Sequence, residues 1–197
     1  MDSSRLSQQL VFLAEADQLK RVLRRTSLIG GDRLENTAEH SWHFALMALT
    51  LAEHAPVSLD LTRVLKIALI HDLVEIDAGD SFVYDTSAMA DKAEREEAAA
   101  KRIFNLLPAD QATEYRVLWD EFEAQETPEA KFAAAVDRLC GMLPNYKNSG
   151  GSWVEHGVSA ERVTARNAPI GVGAPALWDV ARGWIAEAVE KGWIAER

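Results

Sequence analysis

The chain has 197 residues, of which 48% are hydrophobic and 26% are charged, and its formal net charge is −10. This length and composition predict a soluble globular protein with a sizeable core, in one domain or one domain with an appendage. The acidic surface repels polyanions, which argues against DNA or RNA as an extended partner. No apolar run is long enough to span a bilayer, and the N-terminus lacks the apolar core of a signal peptide. The single cysteine, Cys140, excludes an internal disulfide and is compatible with a cytoplasmic location.

Helical periodicity and helix caps recur along the chain, whereas strand signals are nearly absent, so the sequence predicts an all-α protein. Helices are expected at about 4–22, from 36 to before Pro56, from 58 or 60 to Gly79, and at about 90–107, 108–125 and 127–143, followed by tryptophan-rich helices. Asn36 and Glu39 form a capping box, Thr127 caps a helix that begins with Pro128, and Gly79 is expected in a left-handed cap. Loops are expected at Gly30-Gly31, 80–88 and 145–152.

The apolar segment 67–70 runs directly into His71 and Asp72, with Glu75 and Asp80 close behind. Polar groups in an apolar setting cost several kcal/mol when they are unpaired, and ionised groups cost more. A bound divalent cation removes that penalty, because imidazole and carboxylate are good ligands for first-row metals. On a helix, the Glu75 carboxylate projects towards the same region as His71 and Asp72. The alternative is a helix end whose acids are simply solvated.

Three further features stand outside this segment. His40 and His43 lie one helical turn apart, a spacing found in metal sites, although either histidine alone is more often a hydrogen-bonded, partly buried residue. Asp137 follows the apolar residues 132–136, where a carboxylate is an ion-pair partner, a ligand or an error of patterning. The basic cluster 19–25 can be read as a solvated helix end, where cations also favour the helix dipole.

His40, His71-Asp72 and Asp137 follow the pattern H…HD…D, which resembles the HD-domain superfamily of metal-dependent phosphohydrolases. Residues 19–22, 35–40, 71–80 and 129–137 resemble more closely the HD-domain 5′-deoxynucleotidases and the HD-domain-containing-2 proteins. The resemblance implies an all-α HD-domain helical bundle, with residues 1–197 as a single domain. Its core would cover about 15–146 and a C-terminal helical extension about 147–197.

By this resemblance, the ligands of one divalent metal ion are His40, His71, Asp72 and Asp137. Glu75 matches the position that handles the water, so catalysis is assigned to Glu75 and Asp72. Arg21 matches an arginine that contacts the phosphate, and Asp80 a position near the substrate sugar. Val22 stands where the prokaryotic deoxynucleotidases have a tryptophan, so strict selection of deoxyribose is not expected. His43 has no role in the pattern and is interpreted as a structural residue or a neighbour of the ligands.

The implied activity is hydrolysis of (deoxy)nucleoside 5′-monophosphates to nucleoside and phosphate. Imidazole and carboxylate ligands admit Mn, Co, Fe, Ni or Zn. The alternatives are an HD hydrolase of another nucleotide, such as a nucleoside triphosphate or guanosine tetraphosphate, a non-catalytic metal- or nucleotide-binding regulator, and a helical interaction protein with an incidental His-Asp pair. The expected partners are a small nucleotide substrate and, from the tryptophan-rich C-terminal helices and the resemblance, a second copy of the chain in a homodimer, with neither nucleic-acid polymer nor membrane.

Overall fold

The structure is a computed structural model that describes residues 3–81, 84 and 91–197. Its elements are α1 (Ser3–Ala16), β1 (Leu23–Ser27), β2 (Leu34–Asn36), α2 (Thr37–Leu51), α3 (Leu61–Ile70), α4 (Glu75–Ala78), α5 (Lys92–Phe104), α6 (Ala109–Ala124), α7 (Pro128–Lys147), α8 (Gly151–Glu155), α9 (Ala160–Asn167), α10 (Ile170–Gly173) and α11 (Pro175–Glu190). Short 3₁₀ helices occupy Asp17–Arg21, Ala52–His54 and His71–Val74. The predicted all-α class is confirmed. Most of the predicted loop 80–88 lies outside the described residues.

Helix α7 is the central element of the bundle. It begins at Thr127, whose hydroxyl oxygen accepts a 3.2 Å hydrogen bond from the Ala130 amide, and Pro128 follows at the first helical position. Its buried residues include Phe132, Ala133, Ala134, Ala135, Val136, Leu139 and Cys140. Burial on so many sides is expected of a helix surrounded by others, and α2, α3, α6, α10 and α11 pack around it. The helix continues past the predicted end at 143, through Pro144, to Lys147.

The C-terminal helices pack directly onto α7. A Cβ atom at Gly173 would lie 2.0 Å from the carbonyl oxygen of Lys131, so only glycine allows this approach of α10 to α7. Trp153 is buried, and Trp178, Trp184 and Trp193 are partly buried against the core. These tryptophans therefore anchor the C-terminal helices to the core.

Residues 23–36 contain an antiparallel pair of strands that the sequence analysis did not predict. Strand β1 pairs with β2, with Leu23 opposite Asn36 and Ser27 opposite Leu34. The strands have five and three residues, and β1 is mostly polar, so no alternation of apolar residues announces them. Alternation of side chains along β1 leaves Arg24 half-buried and Arg25 exposed.

The helix predicted from 58 or 60 to 79 is divided. Asp60 caps α3 by accepting a 3.1 Å hydrogen bond from the Arg63 amide, but regular helix ends at Ile70 and a 3₁₀ turn follows. Residues three apart eclipse in a 3₁₀ helix, so Asp72 and Glu75 project to the same side. Gly79 has φ 73° and ψ 154°, a positive φ outside the left-handed helical cap that was expected.

The first helix is also shorter than predicted. Helix α1 ends at Ala16, the chain tightens into a 3₁₀ turn as far as Arg21, and Val22 is extended. Because strand β1 follows the 3₁₀ turn, the second half of the basic cluster 19–25 packs beside α7 and α8 and does not continue a helix surface. Within the described part of the chain, no helix combines the length and the apolar character needed to cross a membrane.

Candidate metal centre

The structure brings together four side chains from three distant parts of the sequence. His40 comes from α2, His71 and Asp72 from the 3₁₀ turn after α3, and Asp137 from α7. Nε2 of His40 lies 2.9 Å from Oδ1 of Asp137. Nε2 of His71 lies 3.1 Å from Oδ1 of Asp72 and 3.9 Å from Oδ1 of Asp137. Ligand atoms of His40, His71 and Asp72 lie within 4.8 Å of one another, a spacing that suits one shared cation.

Both histidines have a nitrogen available for a metal. Nδ1 of His71 lies 3.1 Å from the carbonyl oxygen of Ala68, and donation to that oxygen leaves a lone pair on Nε2 of the neutral ring. His71 Nε2 is buried without a hydrogen-bond partner among the described residues, and His40 Nε2 faces Asp137 at 2.9 Å and Asp72 at 3.9 Å. Glu35 Oε2 lies 3.6 Å from His40 Nδ1, where it orients the ring as outer carboxylates do at metal sites. Two imidazole nitrogens and two carboxylates fit a divalent first-row ion.

Neighbouring charges favour ionised ligands. Burial would raise the pKa of Asp72, but His71 and Arg24 lower that pKa to about 2. Burial also opposes ionisation of Asp137, whose pKa is nevertheless held below its ordinary range, mainly by its hydrogen bond to His40. Both carboxylates are therefore anionic at neutral pH, which is the state in which a carboxylate can bind a metal.

Glu75 lies beside the ligands and is in a different electrostatic state. The side chain is buried, and its Oε2 accepts a 3.0 Å hydrogen bond from the hydroxyl of Thr37. Burial is the main cause that raises the pKa of Glu75 well above its ordinary value, and the charge of Asp72 raises it further. A carboxyl group with a raised pKa next to a metal site is suited to accept a proton from water.

Arg24 and Glu35 belong to this cluster, although the sequence analysis assigned neither of them. Nη1 of Arg24 lies 3.2 Å from Asp72 Oδ2 and 3.7 Å from Asp80 Oδ1, and its Nε lies 3.6 Å from Glu35 Oε2. Burial would lower the pKa of Arg24, but Asp72 and Asp80 raise that pKa above its ordinary value. The sequence does show the basic cluster 19–25. Because the strand β1 was not predicted, the sequence analysis could not tell that Arg24 is the member of this cluster that faces inward.

The other predicted site residues lie at three different places. Arg21 is exposed at the end of the 3₁₀ turn and makes no hydrogen bond or ion pair with the described residues. Asp80 is partly buried, receives a backbone hydrogen bond from Arg25 and lies beside Arg24. His43 is half-buried, with Nδ1 3.7 Å from the sulfur of Cys140, and it is not among the converging ligands. The structural interpretation of His43 agrees with this position.

A pocket opens beside the ligand cluster. Its volume is about 630 Å³, part of which is continuous with bulk solvent. Asp80, Asp137 and Arg24 line it together with residues of α7, α8 and α9, including Arg138, Met142, Asn145, Trp153, Arg166 and Asn167. The C-terminal helices therefore complete the space in which a ligand of the metal cluster would lie.

Comparison with known proteins identifies the family. The HD-domain family profile matches residues 16–178. The chain is 36% identical over 135 residues to 5′-deoxynucleotidase HDDC2 of Homo sapiens, a match that covers 68% of this chain and 64% of that protein, so the chain spans less than two thirds of this relative's length. It is 29% identical over 140 residues to a 5′-deoxynucleotidase of Pectobacterium atrosepticum, with 67% and 69% covered. A crystal structure of a predicted metal-dependent phosphohydrolase from Magnetospirillum magnetotacticum MS-1 superposes with a TM-score of 0.93 at 49% identity, covering 98% of this chain and 96% of that one. The chain belongs to the HD-domain family.

Proposed function

We propose that the protein is a metal-dependent phosphomonoester hydrolase that converts (deoxy)nucleoside 5′-monophosphates to nucleoside and phosphate. The convergence of His40, His71, Asp72 and Asp137 beside the buried Glu75 supports this activity more than any other feature. The human and Pectobacterium relatives are named as 5′-deoxynucleotidases, which agrees with this substrate class. In this proposal residues 1–197 form a single HD domain whose extension, 147–197, completes the substrate pocket.

The four ligands would hold one divalent ion, either Mn, Co, Fe, Ni or Zn. When bound, that ion lowers the pKa of a coordinated water and polarises a phosphoryl oxygen. Glu75, held at Oε2 by Thr37, orients the water and accepts its proton. Arg24 already neutralises part of the carboxylate charge around Asp72, which lets a phosphate approach.

Asp80 and Arg21 are proposed to contact the substrate. Asp80 lines the pocket and would hydrogen-bond the sugar. Arg21 is exposed at the edge of the basic cluster 19–25, from which its flexible side chain would contact the phosphate. Arg21→Ala is expected to raise KM for every nucleotide alike, whereas Lys20→Ala, a change at the neighbouring exposed cation, is the matched control. An unchanged KM in Arg21→Ala would reject the assignment of Arg21.

A phosphate-release screen tests the activity. Wild-type protein loaded with each of the five metals is compared with Glu75→Gln and with Asp77→Asn, a change at a nearby exposed carboxylate. Nucleoside mono-, di- and triphosphates and guanosine tetraphosphate form the substrate panel. Release from monophosphates that disappears only in Glu75→Gln supports the proposal. Release confined to nucleoside triphosphates or guanosine tetraphosphate favours the other HD activities, and binding without release favours a regulator.

We also propose a homodimer in the cytoplasm. Helix α2 carries an exposed apolar stripe on the surface of the chain. Its members lie at helical spacing and are Trp42, Leu46 and Leu49, which are 65%, 46% and 49% exposed. Light scattering should give twice the chain mass, and Leu46→Glu should reduce it to the monomer mass. A monomeric wild type would reject the dimer.

A further inference from the structure

Three arginines that line the pocket have no carboxylate within ion-pair distance among the described residues, namely Arg25 on β1 and the pair Arg138 and Arg166. Arg138 lies on α7 and Arg166 in the last turn of α9. Nη1 of Arg138 donates a 3.0 Å hydrogen bond to the carbonyl oxygen of Ala134, but its Nε is buried and has no partner among the described residues. Arg166 forms neither a hydrogen bond nor an ion pair with any residue in the described ranges. Their donors are therefore free to bind a ligand.

Several other polar groups around the pocket are already paired. Oδ1 of Asn145 accepts 2.8 Å hydrogen bonds from the amide and the hydroxyl of Ser152, and its Nδ2 donates to the carbonyl oxygen of Gly141 at 2.9 Å. Asn167 Nδ2 donates to the Val163 carbonyl oxygen at 2.8 Å. Arg24 faces Asp72 and Asp80. Among the described residues of the pocket, free guanidinium donors are therefore found on Arg138 and Arg166, and on Arg25 at the edge formed by β1.

The charge of Arg138 and Arg166 suggests the ligand. Two guanidinium groups in one pocket repel each other, and the chain as a whole is acidic, with a net charge of −10. An anion between them would relieve the repulsion and satisfy the buried donor of Arg138. Phosphate suits a guanidinium because its oxygens accept paired hydrogen bonds.

We propose that Arg138 and Arg166 bind a second phosphate group of the substrate, so that the preferred substrates are nucleotides carrying two phosphate groups. This inference rests on the proposed function, in which the phosphoryl group that reacts lies at the metal cluster. The second phosphate is either on the sugar or attached to the 5′-phosphate. Hydrolysis forms a bond from the water oxygen to the reacting phosphorus and breaks the bond from that phosphorus to the oxygen that links it to the rest of the nucleotide. That oxygen takes up a proton and leaves as part of the remaining nucleotide. A phosphate on the sugar is unchanged by this step.

Binding to the metal-free, full-length protein tests the subsite without turnover. Titration calorimetry compares 2′-deoxyadenosine 5′-monophosphate, 5′-diphosphate and 3′,5′-bisphosphate. Wild type should bind at least one of the doubly phosphorylated nucleotides about tenfold more tightly than the monophosphate, as expected for one additional charge-assisted contact. The tighter of the two reveals where the second phosphate lies. Equal affinity for all three nucleotides would overturn the inference.

Substitution assigns the preference to the two arginines. Arg166→Gln changes an exposed residue and should fold normally, and Arg138→Gln is a second, independent variant. Either change should reduce the preference to about twofold or less, whereas Arg182→Gln, which removes an exposed charge on α11, should leave it unchanged. An equal loss of affinity for all three nucleotides would place the arginines at the reacting phosphate and overturn the inference.

Turnover by the metal-loaded protein separates this inference from the proposed function. A preference in kcat/KM for a doubly phosphorylated nucleotide that is lost in Arg166→Gln supports both. If wild type releases no phosphate from any nucleotide, the proposed function fails. In that case the preference measured in the binding experiment still decides whether the phosphate subsite exists.

Discussion

The hydroxyl of Thr37 donates a 3.0 Å hydrogen bond to Oε2 of Glu75, and both side chains are buried. The same hydroxyl lies 3.4 Å from the carbonyl oxygen of Val22, which also accepts a 3.0 Å hydrogen bond from the Thr37 amide. The start of α2 therefore fixes one oxygen of Glu75 and leaves Oε1 available for another partner. This arrangement distinguishes Glu75 from the carboxylates that meet the histidines.

Glu75→Gln is expected to separate binding from chemistry. Glutamine has nearly the same shape, and its amide oxygen can still accept the hydrogen bond from Thr37, so the fold and the metal should be retained. It cannot take up a proton, so kcat should fall by about a hundredfold or more with little change in KM. Elemental analysis and steady-state kinetics measure the two effects. Loss of the metal together with activity would show that Glu75 is a ligand.

Metal content tests the ligand set. The wild-type protein should contain about one divalent ion per chain, and His71→Ala should contain almost none, because the Nε2 of His71 faces both Asp72 and Asp137. His54→Ala is the matched control, since His54 is exposed after α2 and outside the cluster. Mass spectrometry of the metals in purified protein gives the result. Equal metal in the two variants would reject the assignment of His71.

The fold class and the convergence of His40, His71, Asp72 and Asp137 were predictable, because caps and helical periodicity are local signals and the residue pattern H…HD…D is specific. The capping box of Asn36 and Glu39 and the cap at Thr127 are confirmed in detail. Sequence reasoning placed His71, Asp72 and Glu75 on one regular helix. The three do lie in one region, but a 3₁₀ turn accounts for it, since regular helix stops at Ile70.

The role of Arg24 was not predictable for a physical reason. Its inward position depends on strand pairing with residues 34–36, a tertiary contact that short polar strands do not announce. Glu35 has the same explanation, because its burial follows from that pairing and from the neighbouring His40. Arg166 lies still further away in sequence, and only the packing of α9 brings it to the pocket.

Arg24→Gln is expected to destabilise the metal-free protein more than the metal-loaded protein. Without the guanidinium, no cationic side chain lies between the carboxylates of Glu35, Asp72 and Asp80. Removing one partner of a buried ion pair costs about 3–5 kcal/mol. A bound divalent ion would offset part of this loss. Tm measured with a chelator and with saturating Mn²⁺ gives both values. Arg25→Gln, at the exposed neighbour, is the control, and an equal drop in Tm under both conditions would contradict the expectation.

Glu121→Gln is expected to make the free energy of unfolding less dependent on pH in the acidic range. Glu121 is largely buried and accepts hydrogen bonds from Arg63 Nε at 2.6 Å and from the Thr127 hydroxyl at 2.5 Å. Burial opposes its ionisation, but these two partners lower the pKa of Glu121 below its ordinary value. A lowered folded-state pKa stabilises the protein above the unfolded-state pKa of about 4.3, and the stabilisation is lost as the pH falls below it.

Urea unfolding of the metal-free protein measures this effect. At pH 7 Glu121→Gln should be less stable than wild type by about 1–3 kcal/mol, and the gap should narrow at about pH 3. Glu114→Gln on the same helix is the control, because Glu114 and Lys66 form a solvent-exposed pair that contributes little to stability. A gap of constant size between the two pH values would contradict the assigned pKa shift.

Selection between ribose and deoxyribose is expected to be modest. Val22 is half-buried, and its carbonyl oxygen is hydrogen-bonded to Thr37, which places this residue next to the partner of Glu75. A small aliphatic side chain there cannot shield a pocket from a ribose hydroxyl as an indole can, and discrimination by shape alone is about a hundredfold at best. Paired values of kcat/KM for ribo- and deoxyribonucleoside 5′-monophosphates should therefore differ by less than about a hundredfold. Val22→Ala should leave the ratio unchanged, because Val22 does not select. A deoxyribose preference of several thousandfold that persists in Val22→Ala would show that another residue excludes the 2′-hydroxyl, whereas a ratio that collapses in Val22→Ala would show that Val22 itself selects.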